Sequence, residues 1–150
     1  MNFKKKLVLF FATAFFSGYA PLVPGTVGSL VGIPICFFLS KIHFISAAVF
    51  IFTFISFAVW VAHEAEQILQ QKDPNCIVID EIAGLLVTFF GLPFTVPSAI
   101  AGFVLFRFFD IVKPFPVRYV ERRVSGGAGV VMDDLAAGIY SHLILKWLIG

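Results

Sequence analysis

A chain of 150 residues with 59% apolar and only 13% charged positions, and a mean hydropathy of +0.97, departs from soluble domains, where about a quarter of positions are charged. The formal net charge of +2 does not by itself suggest a polyanion-binding role. Cys36 and Cys76 both lie in apolar surroundings and are expected as free thiols, with no disulfide framework. The expectation is an all-α integral membrane protein, a single domain over residues 1–150.

In chain order, Lys4, Lys5 and Lys6 precede an apolar stretch at 7–16. It imitates a signal peptide, but no polar mature domain follows and the next residues make a poor cleavage site, so it is read as retained. About ten apolar residues are too few to span a bilayer, which predicts an interfacial helix anchored by the lysines. Residues 18–29 are rich in Pro and Gly and predict a loop, followed by a helix over 29–40 and a tight turn at Lys41-Ile-His43. Residues 44–62 hold no charge and form the clearest spanning segment. It continues as a polar extension through His63, Glu64, Glu66 and Gln67 to a loop at 72–75.

Residues 82–90 and 98–109 are two shorter apolar arms around a turn at 91–97 that contains Pro93 and Pro97, a helical hairpin. Each arm is short for a full crossing and is expected to be tilted, re-entrant or buried in protein. Residues 113–130 predict a basic Pro/Gly loop, and 135–149 the last helix. The architecture expected is a helical bundle with about four membrane-embedded segments plus the N-terminal interfacial helix. The 20 phenylalanines suit helices that face acyl chains.

Of nine carboxylates, five sit in three clusters inside this apolar sequence: Asp80 with Glu81, Asp110, and Asp133 with Asp134. Ionisable residues at a membrane boundary are costly, and are functional candidates for that reason. The hairpin returns Asp110 to the edge where Asp80 and Glu81 begin, and the loop before the last helix brings Asp133 and Asp134 to the same edge. Helix capping would explain Asp80, Glu81, Asp133 and Asp134 individually. It does not explain Asp110, which closes a helix, although Asp110 could pair with Arg107 or Lys113. Converging carboxylates read as a divalent-cation site. The same edge carries Lys72, Arg107, Lys113, Arg118, Arg122 and Arg123, so the positive-inside rule turns it to the cytoplasm.

The segment from Lys113 through Pro114, Pro116 and Arg118 to Arg123 sets stiffened cations beside the acids. A belt for anionic headgroups is the plainer reading of those cations. Gly25, Thr26 and Ser29 offer backbone N–H groups and hydroxyls to a phosphate at a helix N-terminus, and equally read as a turn plus cap. The glycines at 126, 127 and 129 can serve simply to turn the chain back to Asp133. Acids for metal, cations for phosphate and a membrane location together point to metal-assisted hydrolysis or transfer on a lipid phosphate. His43 lies on the far edge, His142 reads as a core or interface residue and His63 as a surface one, which leaves metal-activated water as the attacking group. The competing class is a small membrane transporter or complex subunit whose acids relay ions. A phosphotransferase with an alcohol acceptor would use the same groups.

Four blocks resemble the bacterial phosphatidylglycerophosphatase A family: Phe11 to Gly18 with Val23 to Ser29, Ile77 to Gly84, Phe106 to Arg118, and Gly126 to Asp134. The resemblance runs along nearly the whole chain. It implies a magnesium-dependent phosphatase, multi-pass in the bacterial inner membrane, that converts phosphatidylglycerophosphate to phosphatidylglycerol and phosphate. It puts the acidic motif positions on Asp80, Glu81, Asp110, Asp133 and Asp134 as catalytic and metal-holding residues. Gly25, Thr26, Ser29, Arg107, Lys113 and Arg118 are then expected to bind the substrate phosphate. Two positions depart from the family pattern: Ser125 stands where a histidine is expected and Glu121 where an aspartate is usual. The expected partners are the lipid substrate and the bilayer, with no nucleic acid and with room for a homo-oligomer.

Overall fold

Seven α-helices and one 3₁₀ turn, with no strand, make up the described residues, 1–115 and 117–150, of a computed structural model. Helix α1 (Phe3–Ala12) starts where the Asn2 side chain accepts from the Lys5 N–H at 3.0 Å. A 3₁₀ turn (Ser17–Tyr19) leads to α2 (Pro24–Leu39). Then come α3 (Phe44–Leu69), α4 (Ile79–Phe89), α5 (Val96–Val112), α6 (Val117–Arg123) and α7 (Gly126–Ile149). Cys36 and Cys76 are free, as the composition predicts.

Helix α4 is the centre of the bundle. Apart from its first turn and Thr88 it is apolar on all sides, and such a helix must be enclosed. Nine of its eleven residues are buried, and α2, α3, α5 and α7 pack around it. At 1.5 Å per residue it is only about 16 Å long, too short to cross a bilayer core of about 30 Å. Of the three arrangements left open for the hairpin arm, burial in protein is the one found. The hairpin turn forms as its residues imply: Pro97 lies in the first turn of α5, and Thr95 and Ser98 build a reciprocal capping box.

Helices α4 and α7 run parallel and cross through glycines. A Cβ on Gly84 would lie 2.7 Å from the Asp134 carbonyl oxygen, and Gly138 faces the Gly84 backbone in return. Below the crossing, Leu85, Leu86 and Phe89 of α4 join Phe106 of α5 and Leu145 of α7 in one apolar cluster. A second cluster joins Val8, Leu9 and Ala12 of α1 to Ala58, Val61, Ala62 and Ala65 of α3 and to Val130 and Val131 of α7.

Among the described residues two helices are long and apolar enough to cross a membrane: α3, with mean hydropathy 2.3, and α7, with 1.3. Outward faces of α7 and α5 are apolar as well. Ile139, Leu143 and Trp147 form an exposed i, i+4, i+8 row on α7, and Ile100, Val104 and Phe108 form another on α5. Rows of this kind facing water would be an aggregation hazard, and facing lipid they are the expected surface.

Three expectations change. Residues 24–29 are helical, not loop: Pro24 occupies the first turn of α2, where its missing N–H costs nothing. Gly28 and Gly32 there face Val78 and Leu85 of the central helix, so they serve close packing. The last helix begins at Gly126, nine residues before the predicted start, and Gly127 lies against the backbone of Val59 and His63 on α3. The basic loop holds α6, so only a short connection remains. Pro116, expected to stiffen that segment, lies outside the described residues.

Candidate active site

The α4–α7 crossing assembles the first part of the site. Asp80 precedes Gly84 by four residues and Asp134 precedes Gly138 by four, so each acid lies one turn N-terminal to the contact, on the face turned to the other helix. With Asp133 they form a set in which one carboxylate oxygen from each residue lies within 4.8 Å of the others. All three are buried, at 6%, 5% and 2% exposure for Asp80, Asp133 and Asp134.

Capping does not account for them. The N-cap of α4 is Val78, without a side-chain cap bond, and α7 has no acid in its first turn. Asp133 and Asp134 sit about two turns inside α7, so the expectation that every acid cluster lies at a segment end holds for α4 and α5 but not for α7. Asp133 Oδ1 accepts the Asp134 N–H at 2.9 Å. Asp80 Oδ1 and Asp134 Oδ1 are buried with no hydrogen-bond partner among the described residues. Unpaired carboxylate oxygens held together away from water are costly unless a cation compensates them. Three all-oxygen donors are the ligand type a hard divalent ion takes, so magnesium fits this set.

The second part is an ion-pair relay. Arg107, on the last turns of α5, donates to Asp110 three residues on, and its Nη1 stands 3.4 Å from Glu81 Oε2. Asp110 therefore has the Arg107 partner its spacing allowed. Lys113 takes the other side: its ammonium lies 2.9 Å from Asp133 Oδ2 and 2.9 Å from Glu121 Oε1. Burial alone would push the Lys113 pKa down, but its bonds to Asp133 and Glu121 outweigh that and hold it above the usual lysine value.

Helix α2 closes the relay from the outside. The Ser29 hydroxyl lies 2.7 Å from the Gly25 carbonyl and 3.1 Å from Glu81 Oε2, and its single proton serves one of them at a time. A Cβ on Gly25 would stand 2.6 Å from Glu81 Oε1 and 3.1 Å from Arg107 Nη2. A larger residue at this position would push the Glu81 carboxylate and the Arg107 guanidinium aside.

Both parts line one cavity of about 370 Å³, which reaches the surface at the exposed residues Leu22, Val23 and Asn75. Its walls hold six carboxylates against two cations, Arg107 and Lys113, a strong field for a further cation. All five acids predicted from the sequence are there, with Gly25, Arg107 and Lys113. Ser29 reaches the site through Glu81, and Thr26 is not among the lining residues. Arg118 is exposed and lines a separate cavity with Arg122.

The sixth carboxylate, Asp73, escaped the sequence reading. It stands at the mouth in a left-handed backbone conformation, φ 46°, and its N–H donates to Glu66 Oε1 at 2.7 Å. Crowding by protein raises its pKa above the usual aspartate range, Lys113 opposes the rise, and Glu66 adds to it. The available signal was an acid just before Pro74, a few residues upstream of Asp80. The histidines fall where their contexts suggested. His43 caps α3, accepting from the Ile45 N–H at 3.3 Å, His142 Nδ1 lies 3.2 Å from the Thr88 carbonyl, and His63 is exposed beside Gly126. Ser125 is the N-cap residue of α7, without a side-chain cap bond.

Comparison with known proteins places the chain in a family. The family model of phosphatidylglycerophosphatase A matches residues 10–149. Phosphatidylglycerophosphatase A of Escherichia coli K12 is 36% identical over 138 residues, 91% of this chain and 80% of its own. The Haemophilus influenzae protein of the same name is 33% identical, over 89% of this chain and 83% of its own. A Bacteroides thetaiotaomicron protein named "Putative phosphatidylinositol-3-phosphatase" is 37% identical over 96% of both chains. No solved structure matches the chain. A family match over nearly the whole length, with relatives of this identity and coverage, settles the affiliation: the chain belongs to the phosphatidylglycerophosphatase A family.

Proposed function

We propose that the chain is a lipid phosphatase that hydrolyses phosphatidylglycerophosphate to phosphatidylglycerol and inorganic phosphate with magnesium. The observation that carries the reading is the buried set Asp80, Asp133 and Asp134, with orphaned oxygens on two of them, in a cavity whose wall also offers Arg107 and Lys113. The headgroup comes from the family and from the two relatives named for it.

Asp80, Asp133 and Asp134 hold the ion. A bound magnesium supplies charge neutralisation and Lewis-acid activation of the phosphate and the attacking water. Arg107, fixed by Glu81 and Asp110, and Lys113, fixed by Asp133 and Glu121, face the charge that spreads over the phosphoryl oxygens. Water attacks phosphorus in line and gives its proton to a carboxylate of the cavity. The glycerol oxygen leaves, takes up a proton and stays with the lipid, while phosphate departs through the mouth.

In this reading α2, α3, the α4–α5 hairpin and α7 are the membrane-embedded segments and α1 is interfacial. The cation-rich edge that carries the cavity mouth faces the cytoplasm. The Bacteroides relative favours a second reading, the same chemistry on a phosphoinositide. Phosphate release by purified protein from phosphatidylglycerophosphate and from phosphatidylinositol 3-phosphate, each in neutral-detergent micelles, separates the two. Faster release from phosphatidylglycerophosphate supports the assignment, and a preference for the inositol lipid overturns it. Release from neither would favour the ion-relay alternative.

A further inference from the structure

The phosphatase reading leaves Arg118, Arg122 and a cavity without a task. Beside the acidic cavity lies a second one of about 390 Å³, lined by Lys113, Arg118 and Arg122 together with Phe115 and Tyr119. No carboxylate lines it among the described residues. Lys113 is the shared wall, lining both cavities. The acid nearest in sequence, Glu121, is bonded to Lys113 and lines a different recess, on the side of Glu66 and Asp73. The Tyr140 hydroxyl donates to the Phe115 carbonyl at 2.8 Å and ties this segment to α7. Phe115 is 80% exposed and Tyr119 49%, which gives the rim the amphipathic character of a membrane interface.

The lipid proposed as substrate carries two phosphates on one short glycerol spacer, a terminal monoester and an internal diester. We infer that Lys113, Arg118 and Arg122 form a second anion subsite, which holds the internal phosphodiester while the terminal phosphate enters the acidic cavity. This rests on the phosphatase reading and adds to it a source of headgroup recognition. Arg118 and Arg122 lie four residues apart on α6, on one face of the helix, and arginine forks suit phosphate oxygens. The diester is not cleaved, so its contacts serve binding equally in the ground and transition states. Such contacts set KM and leave kcat alone. Phosphatidylglycerol, which keeps the diester and has lost the monoester, is then a competitive inhibitor through this subsite.

The test is steady-state kinetics in neutral-detergent mixed micelles, where no anionic bilayer surface is present. The Arg118→Gln/Arg122→Gln protein should show a KM for phosphatidylglycerophosphate raised about tenfold, about what one or two charge-assisted hydrogen bonds at a solvated site carry. Its kcat should hold within about twofold, and inhibition by phosphatidylglycerol should weaken in parallel. Arg118→Lys/Arg122→Lys should recover part of the loss. Arg123→Gln is the control: Arg123 stacks on Tyr119, with its guanidinium 5.1 Å from the ring centroid, and does not line the cavity. An unchanged KM in the double variant, a loss confined to kcat, or an equal rise in Arg123→Gln overturns the subsite while the phosphatase reading stands. Wild-type protein that released no phosphate would overturn that reading, and the subsite with it.

Discussion

Gly84 of α4 and Gly138 of α7 meet backbone against backbone, and the acids one turn before them, Asp80 and Asp134, are neighbours because of that contact. Small residues at a helix crossing allow the closest approach two helices can make. Gly138→Val puts a branched side chain where the Gly84 carbonyl lies. It should cost about 1–3 kcal/mol by overpacking, spread Asp80 from Asp134 and abolish activity. A lowered thermal midpoint with lost phosphate release is the expected pair of results. Full activity would show that the crossing does not set the site.

Asp134→Asn and Asp80→Asn should separate function from stability. Each removes one buried negative charge from a set of like charges, so the variant in chelator should melt at or above the wild-type midpoint. Each should also lose at least about a thousandfold in phosphate release, the scale of one preorganised electrostatic group. Magnesium should stabilise the wild type by about 2.7 kcal/mol at a hundredfold excess over its dissociation constant, raising its midpoint, and leave these variants nearly unmoved. Thermal melts with and without magnesium check both points.

Lys113→Met removes a cation that competes with a metal for Asp133. Half-saturating magnesium should therefore fall several-fold while KM for the lipid rises. Loss of the partly buried pair should cost about 1–3 kcal/mol, since Asp133 and Glu121 are left without it. Magnesium titrations at saturating lipid read the first effect and denaturation the second.

Arg107→Lys tests the relay. One guanidinium nitrogen serves both Glu81 and Asp110, and a lysine ammonium reaches less far and lacks the planar fork. Turnover should fall about tenfold or more, with little change in thermal midpoint. Unchanged turnover would assign Arg107 a purely structural part.

Much of this was readable in the residues. An uncharged run from Phe44 announces α3, and Pro93 and Pro97 announce the turn before α5, because local chemistry there decides the backbone. The acids stood out because a carboxylate in an apolar run is expensive wherever it lies, and the structure gathers those five in one cavity. Helix starts at Pro24 and Gly126 were missed because glycine was read by its local propensity, while Gly25, Gly28 and Gly127 answer to what packs against them. The partners of Asp110 and Lys113 were open for the same reason. Spacing allowed either pairing with Asp110, and only the approach of α7 hands Lys113 to Asp133. Asp73 depends on how the loop after α3 meets the cavity, which no local pattern encodes, and the separate recess of Arg118 was missed because the segment that holds α6 was read as loop.

The central claim is that Asp80, Asp133 and Asp134 hold a divalent cation needed to release phosphate from the lipid. Phosphate release from phosphatidylglycerophosphate by purified wild-type protein, in magnesium, in chelator and after magnesium is restored, tests it most directly when run beside Asp134→Asn. The account predicts release with magnesium, none in chelator, full recovery on restoration, and none from the variant in any condition. Equal release in chelator, or near-normal release by Asp134→Asn, would contradict it.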